Sequence, residues 1–178
     1  MPEPAIARPA ASVIVLCRQR GDLRILMGWR GAGHRFMPNR LVFPGGGVDP
    51  GDFTAAPASP LPAPTQAALL AEAGGADAAL AAALGMAAAR ELAEETGLSL
   101  GMPPALAGLR YLMRLITPAA LPIRFDARFF LLDRACLSGS LGGSGELEGL
   151  AWLTPEEALA QDLAIPTRRV VERVRALP

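Results

Sequence analysis

The feature that most constrains this chain is a helix that ends in carboxylates. Residues 77–92 form an apolar run rich in Ala and Leu that predicts a helix, and Gly97 stands where its left-handed stop belongs. On that helix Glu91, Glu94 and Glu95 fall at i, i+3 and i+4, so the three carboxylates share one face. Such a cluster opposes itself. Like charges at i and i+4 cost about 0.2–0.5 kcal/mol, and anions in a last turn work against the helix dipole by about 0.3–1 kcal/mol. A divalent cation reverses both contributions. Oxygen donors with no neighbouring His or Cys suit Mg²⁺ or Mn²⁺ better than Zn²⁺. A solvated acidic face is the alternative reading of the same residues.

The wider pattern decides between them. Arg90-Glu91-Leu92-Ala93-Glu94-Glu95-Thr96-Gly97-Leu98 is expected by chance on the order of 10⁻⁵ to 10⁻⁴ times per chain at average residue usage. Upstream stands Phe43-Pro44-Gly45-Gly46-Gly47-Val48-Asp49-Pro50-Gly51-Asp52. Together the two stretches resemble the halves of the Nudix box, with Asp52 where that family usually has Glu. The family pattern places seven residues between this acidic position and the Arg, whereas 37 lie between Asp52 and Arg90. Thirty residues, about 53–82, are therefore an insert within the box. A box split in this way is similar to the long-insert branch that includes the peroxisomal coenzyme A diphosphatases. The resemblance covers 16 positions and a Phe-Pro-Gly-Gly lead-in.

The resemblance implies a Nudix-like α/β/α sandwich and a Mg²⁺-dependent hydrolysis of a nucleoside diphosphate linked to another moiety. It implies that Glu94 and Glu95 hold the metal, with the carbonyl of Gly45, and that Glu91 ligates it or serves as base for a water. Arg90 cannot be a base because it never deprotonates, so a pairing with Asp52 that ties loop to helix is expected. Nudix enzymes often carry one more carboxylate on a later loop. Glu146 or Glu148 can fill that role, and Glu146 is preferred. Glu91, Arg90, Asp52 and Glu146 thus form the expected catalytic group. Gly46 belongs to the turn expected to meet substrate. Arg30, Arg35 and Arg40 flank it and can grip phosphates through bidentate hydrogen bonds; surface arginines are the bland alternative.

Composition bounds the rest. At 178 residues the chain predicts one domain with a substantial core, and an apolar half argues against disorder. Net charge is zero, which leaves no electrostatic footprint for nucleic acid. All 17 basic residues are Arg, a trait of genome composition that removes any lysine-based chemistry. Cys17 and Cys136 lie in apolar runs and read as two buried thiols, not as a disulfide framework. The N-terminus lacks a basic segment followed by an apolar core, and no apolar tract reaches 18 residues. The expectation is no membrane span and a cytoplasmic location, with a homodimer allowed for.

Taken in order, 11–17 and 23–29 read as a hairpin, 31–40 as a loop holding the only histidine, His34, and 41–43 as a short strand. Residues 53–64 read as an irregular, Pro-rich excursion and 65–73 as a short helix. They are expected to pack over or beside the site and to be dispensable for folding. Residues 106–116 and 123–132 predict strands. The second alternates Arg124, Asp126 and Arg128 with Phe125, Ala127 and Phe129, as a strand with one polar face would; this stretch is also similar to one in the long-insert branch. Thr154-Pro155-Glu156-Glu157 is a capping box. Residues 167–177 place Val170, Val171, Val174 and Leu177 on one helical face.

The expected fold is therefore α/β, a mixed sheet with helices on both faces. The substrate class stays open: coenzyme A or its thioesters on branch resemblance, with ADP-ribose, NADH and dinucleoside polyphosphates as alternatives. A non-catalytic Nudix-fold binding module is the reading from a different class.

Overall fold

The computed structural model describes residues 5–31 and 39–178. Its central strand is covered on both faces. β1 (Arg8–Gln19) buries Val13, Ile14 and Val15 completely, as a strand covered on both faces must. β2 (Asp22–Arg30) returns antiparallel through Arg20 and Gly21, whose φ values of 53° and 94° give the mirror-image turn that matches strand twist. β3 (Leu41–Val42) pairs with β2, and β4 (Gly45–Gly47) pairs with β1. β5 (Arg110–Ile116) lies antiparallel to β6 (Phe125–Asp133), and β7 (Leu147–Leu153) lies antiparallel to β2. The β1–β6 pairing is parallel, from Arg8 opposite Phe125 to Leu16 opposite Asp133, so the sheet is mixed. Its main path runs β3-β2-β1-β6-β5.

Four helices cover it. α1 (Ala63–Ala71) and α2 (Ala78–Thr96) lie on one face, α3 (Pro155–Leu159) and α4 (Ile165–Arg175) on the other. α2 carries the high helix propensity of Ala. Asp77 caps its start by accepting from the Leu80 N–H at 2.8 Å, and Gly97 at φ 73° ends it. Its inner face buries Ala81, Leu84, Ala88 and Leu92 against Val13, Val15 and Phe130. On the far face Val170, Val171 and Val174 of α4 pack on Ile14, Ile25 and Met27. The α/β/α sandwich expected from sequence is the fold.

Three expectations are corrected and one is filled in. The insert is not dispensable: Leu61 and Leu69 sit in the same core as Leu84. Thr65 fastens α1 to the sheet, donating to Leu109 O at 2.9 Å and accepting from Tyr111 N at 3.1 Å. The polar face expected on β6 is there, and the insert covers it. Arg128 is 1% exposed and bonds Glu72 and Asp126 beneath the insert, while Arg114 forks onto Asp126 at 2.6 and 2.8 Å. A charge so buried survives only with such partners, and the insert supplies Glu72. The strand expected over 106–116 is shorter, since Leu106–Gly108 form a 3₁₀ turn. Finally, neither thiol is buried: Cys17, near the end of β1, is half-buried, and Cys136, in the 3₁₀ turn that follows β6, is exposed.

Candidate active site

The site forms where the end of α2 crosses the glycine strand β4. Glu95, 2% exposed, accepts a hydrogen bond from the Gly45 N–H at 2.7 Å. Burial pushes its carboxyl up to about 7; the Gly45 bond and the charge of Arg30 oppose this, while the charges of Glu91 and Glu146 add to it. Glu91 is likewise raised by burial, against the hydrogen bond and charge of Arg90. A Cβ on Gly46 would lie 2.5 Å from Glu91 Cδ, so only glycine lets the carboxylate approach the strand this closely.

Arg90 binds the two halves of the signature together. Its Nε donates to Asp52 Oδ1 at 3.1 Å and its Nη2 to Asp52 Oδ2 at 3.0 Å, a two-pronged grip on a carboxylate that is 6% exposed. Nη2 also donates to the Gly47 carbonyl at 3.0 Å, and Nη1 to Glu91 at 2.7 Å and Glu94 at 3.3 Å. The Asp52 hydrogen bond, ahead of opposing burial, holds the guanidinium firmly protonated. Asp52 accepts in turn from the Asp49 N–H at 2.8 Å, closing a one-turn 3₁₀ helix at Pro50–Phe53.

A glycine-rich loop seals the helix end. Gly142 N–H bonds Thr96 O at 2.9 Å and Ser144 N–H bonds Glu94 O at 2.7 Å, so the last carbonyls of α2 are satisfied by this loop. The same docking brings the exposed Glu146 close enough to raise Glu91 and Glu95. Glu148 is exposed on β7 opposite Trp29, and neither shift arises from it.

Of the other expected residues, Arg30 charges the Glu95 end, and its Nε is buried with no hydrogen-bond partner among the described residues. Arg40 is drawn away, pairing with the Asp162 carboxylate and donating to its carbonyl at 3.1 Å. Arg35 and His34 lie outside the described residues.

Sequence reasoning missed a cavity of about 590 Å³ that opens beside Gly45 and Gly46 on the α4 face of the sheet. Phe43, Phe129 and Ala127 line it with Arg30 and Arg169. No local signal marks it, because five distant segments meet there. No residue of the insert lines it, so the insert backs the far side of the sheet and does not cover this cavity.

Among the described residues no three acidic, His or Cys side chains converge in a metal cage. Glu91 and Glu94 lean on Arg90, and Glu95 leans on Gly45. The donors nonetheless suit a hard divalent cation. They are carboxylate oxygens on one helix face beside a peptide strand, and their mutual repulsion is the cost that a cation relieves.

No family model matches the chain, and no curated protein matches it. Solved structures do. A NUDIX hydrolase from Alicyclobacillus acidocaldarius is 26% identical, covering 94% of this chain and 90% of its own, with a TM-score of 0.71. A MutT NUDIX hydrolase from Burkholderia pseudomallei is 21% identical over 96% of this chain and 99% of its own, at 0.62. The NUDIX domain of Shewanella oneidensis NrtR, complexed with ADP ribose, is 15% identical over 96% and 88%, at 0.58. The fold is that of the Nudix hydrolases, and the chain is similar to them over nearly its whole length. The first two of these neighbours are hydrolases, and an enzyme of that kind, a pyrophosphohydrolase, is what fold and site together support.

Proposed function

We propose that this chain hydrolyses the diphosphate linkage of a nucleoside diphosphate joined to another moiety, using Mg²⁺ or Mn²⁺. The observation that carries the reading is the Arg90–Asp52 fork. It joins two half-boxes that 37 residues separate and fixes the strand of Gly45 against the carboxylates of α2.

Glu94 and Glu95 would hold the metal, with the Gly45 carbonyl and Glu91 as further donors. The ion would neutralise the diphosphate, which otherwise repels a nucleophile, and acidify a bound water. The chain's own residues do the remaining work. Glu91, raised by burial and pressed onto Gly46, is the base that takes the proton of the attacking water, with Glu146 the alternative on the sealing loop. Arg30, charged and unpartnered at Nε among the described residues, faces the anionic substrate. Arg90 positions Glu91 and touches no substrate.

The split box favours coenzyme A or its thioesters as substrate, in a cytoplasmic enzyme without nucleic-acid or membrane partners. None of the described helices is long and apolar enough to cross a membrane. A neighbour's ADP ribose complex keeps ADP-ribose and NADH as the second reading. A Nudix-fold binding module without turnover is the remaining one, and the complete Glu91, Glu94 and Glu95 set argues against it. Coenzyme A, octanoyl-coenzyme A, ADP-ribose, NADH and a dinucleoside polyphosphate, each with and without Mg²⁺, separate these readings by product. Binding of any of them with no Mg²⁺-dependent product would leave the module.

A further inference from the structure

We propose that the glycine loop at 139–145 is a positioning element of the metal site: its backbone clamps the last turn of α2 and thereby sets how tightly Glu94 and Glu95 hold a divalent cation. The inference rests on the reading of the carboxylate face as a metal site, and identifies what keeps that face in shape.

The last turn of α2 is the part of the helix least able to hold itself. Glu91, Glu94 and Glu95 repel one another there and oppose the helix dipole. The final carbonyls of a helix have no partner within it, and such turns fray. Yet Glu95 is 2% and Thr96 0% exposed. The loop supplies the order from outside. Ser99 and Ser138 exchange backbone hydrogen bonds of 3.0 Å, which moors its near end just past Gly97. Arg134 braces the same end by donating to Leu137 O at 2.7 Å. Farther along, Gly142 N–H reaches Thr96 O at 2.9 Å and Ser144 N–H reaches Glu94 O at 2.7 Å. The second of these bonds falls on the backbone of a metal donor.

Gly143, between the two bonds, makes the closest approach. A Cβ there would lie 2.4 Å from Glu95 O and 2.5 Å from Glu95 C, and its φ is 108°. Those are backbone atoms of the helix, which cannot swing aside as a side chain does, so only glycine fits. Any larger residue at 143 must lift the loop or bend the turn that carries Glu94 and Glu95. What is then lost is order more than charge. Water takes over the freed carbonyls, so the field at the helix end changes little, while the two donors lose their fixed spacing. Gly143 and Ser144 act through Glu94 and Glu95, and are positioning residues. Residues 138–146 belong to neither hydrophobic cluster, so changes in the loop do not reach the core.

The test is Mn²⁺ titration of the metal-free protein at pH 8, without substrate, read by the electron paramagnetic resonance of the free ion. At that pH Glu95, raised to about 7, is ionised. Gly143→Ala pushes the loop off Glu95, and Ser144→Pro removes the N–H that bonds Glu94 O. Each should weaken Mn²⁺ binding at least ~10-fold, as loss of the outer support of metal ligands does. Leu141→Ala, an exposed change in the same loop, should stay within ~2-fold of the wild type. Thermal melts establish that each variant is folded at the titration temperature; a purely structural loop would lower the melting temperature and leave the affinity alone. Mn²⁺ affinities of Gly143→Ala and Ser144→Pro both within ~2-fold of the wild type, or an equal loss in Leu141→Ala, would overturn the inference. Wild-type protein that binds no Mn²⁺ would sink the metal reading and the clamp with it. Wild-type binding that both variants share would sink the clamp alone.

Discussion

Arg90 grips Asp52 with two parallel hydrogen bonds, 3.1 and 3.0 Å long, although 37 residues separate them. Asp is one methylene shorter than Glu, and the loop closes the gap by folding Pro50–Phe53 into a single 3₁₀ turn. Asp52 is the buried partner, whereas Arg90 is 27% exposed.

Removing either partner should therefore destabilise the fold more than a surface pair would. Asp52→Ala leaves a guanidinium facing Gly47 without its main acceptor and should cost about 3 kcal/mol. A double-mutant cycle with Arg90→Ala should show coupling above ~1.5 kcal/mol in denaturant unfolding. Additive effects would mean that the fork is not what joins loop and helix.

Gly46→Ala should separate fold from chemistry. The added methyl meets only the far end of Glu91, a flexible side chain that can swing aside, so the melting temperature should move by a few degrees at most. A carboxylate displaced by about an ångström can cost ~100-fold in kcat/KM. Wild-type turnover in this variant would show that Glu91 need not sit against the strand.

Glu95 makes metal-free stability fall with pH. Its carboxyl, lifted by burial from the ordinary 4.5 to about 7, stays protonated in the folded chain while the unfolded chain is already ionised. The folded state thus binds more protons between about pH 4.5 and 7, and stability declines as pH climbs through that window. Glu95→Gln should abolish this slope and be more stable above pH 7 by up to ~3 kcal/mol. Chemical denaturation at pH 5 and pH 8 measures both. A slope unchanged in Glu95→Gln would assign it elsewhere.

Joining Asp52 to Asp77 through a short linker should prevent folding. It removes Leu61 and Leu69 from the core and leaves Arg128, 1% exposed, without Glu72. Glu72→Gln alone should cost about 2–4 kcal/mol, because the buried guanidinium keeps only Asp126. A cooperative thermal transition in the shortened chain would restore the dispensable insert expected from sequence.

Local rules made much of this legible. The caps of α2, its one-sided carboxylates, the β1–β2 hairpin and the valine face of α4 all follow from spacing and turn chemistry. What stayed hidden depends on neighbours remote in sequence. Period-2 alternation assigns Arg128 and Asp126 to one face of β6, but it cannot say that an Ala- and Pro-rich insert will cover that face and bring Glu72. The glycines of residues 139–145 announce a loop, not that its N–H groups cap α2. Arg40 flanks the glycine turn in sequence, but spacing gives no sign that Asp162 of the α3–α4 connection will pair with it. The cavity is assembled from five segments, none of which carries its signature alone.

The central claim is that the carboxylate face of α2 is a metal-dependent diphosphate site. Initial rates of product release across Mg²⁺ concentrations, for the wild type, Glu94→Gln and Glu95→Gln on their best diphosphate substrate, test it most directly. The account predicts saturable Mg²⁺ dependence in the wild type and a loss of at least ~100-fold in each variant, with melting temperatures unchanged or raised without metal. Hydrolysis indifferent to Mg²⁺, or both variants turning over at the wild-type rate, would contradict it.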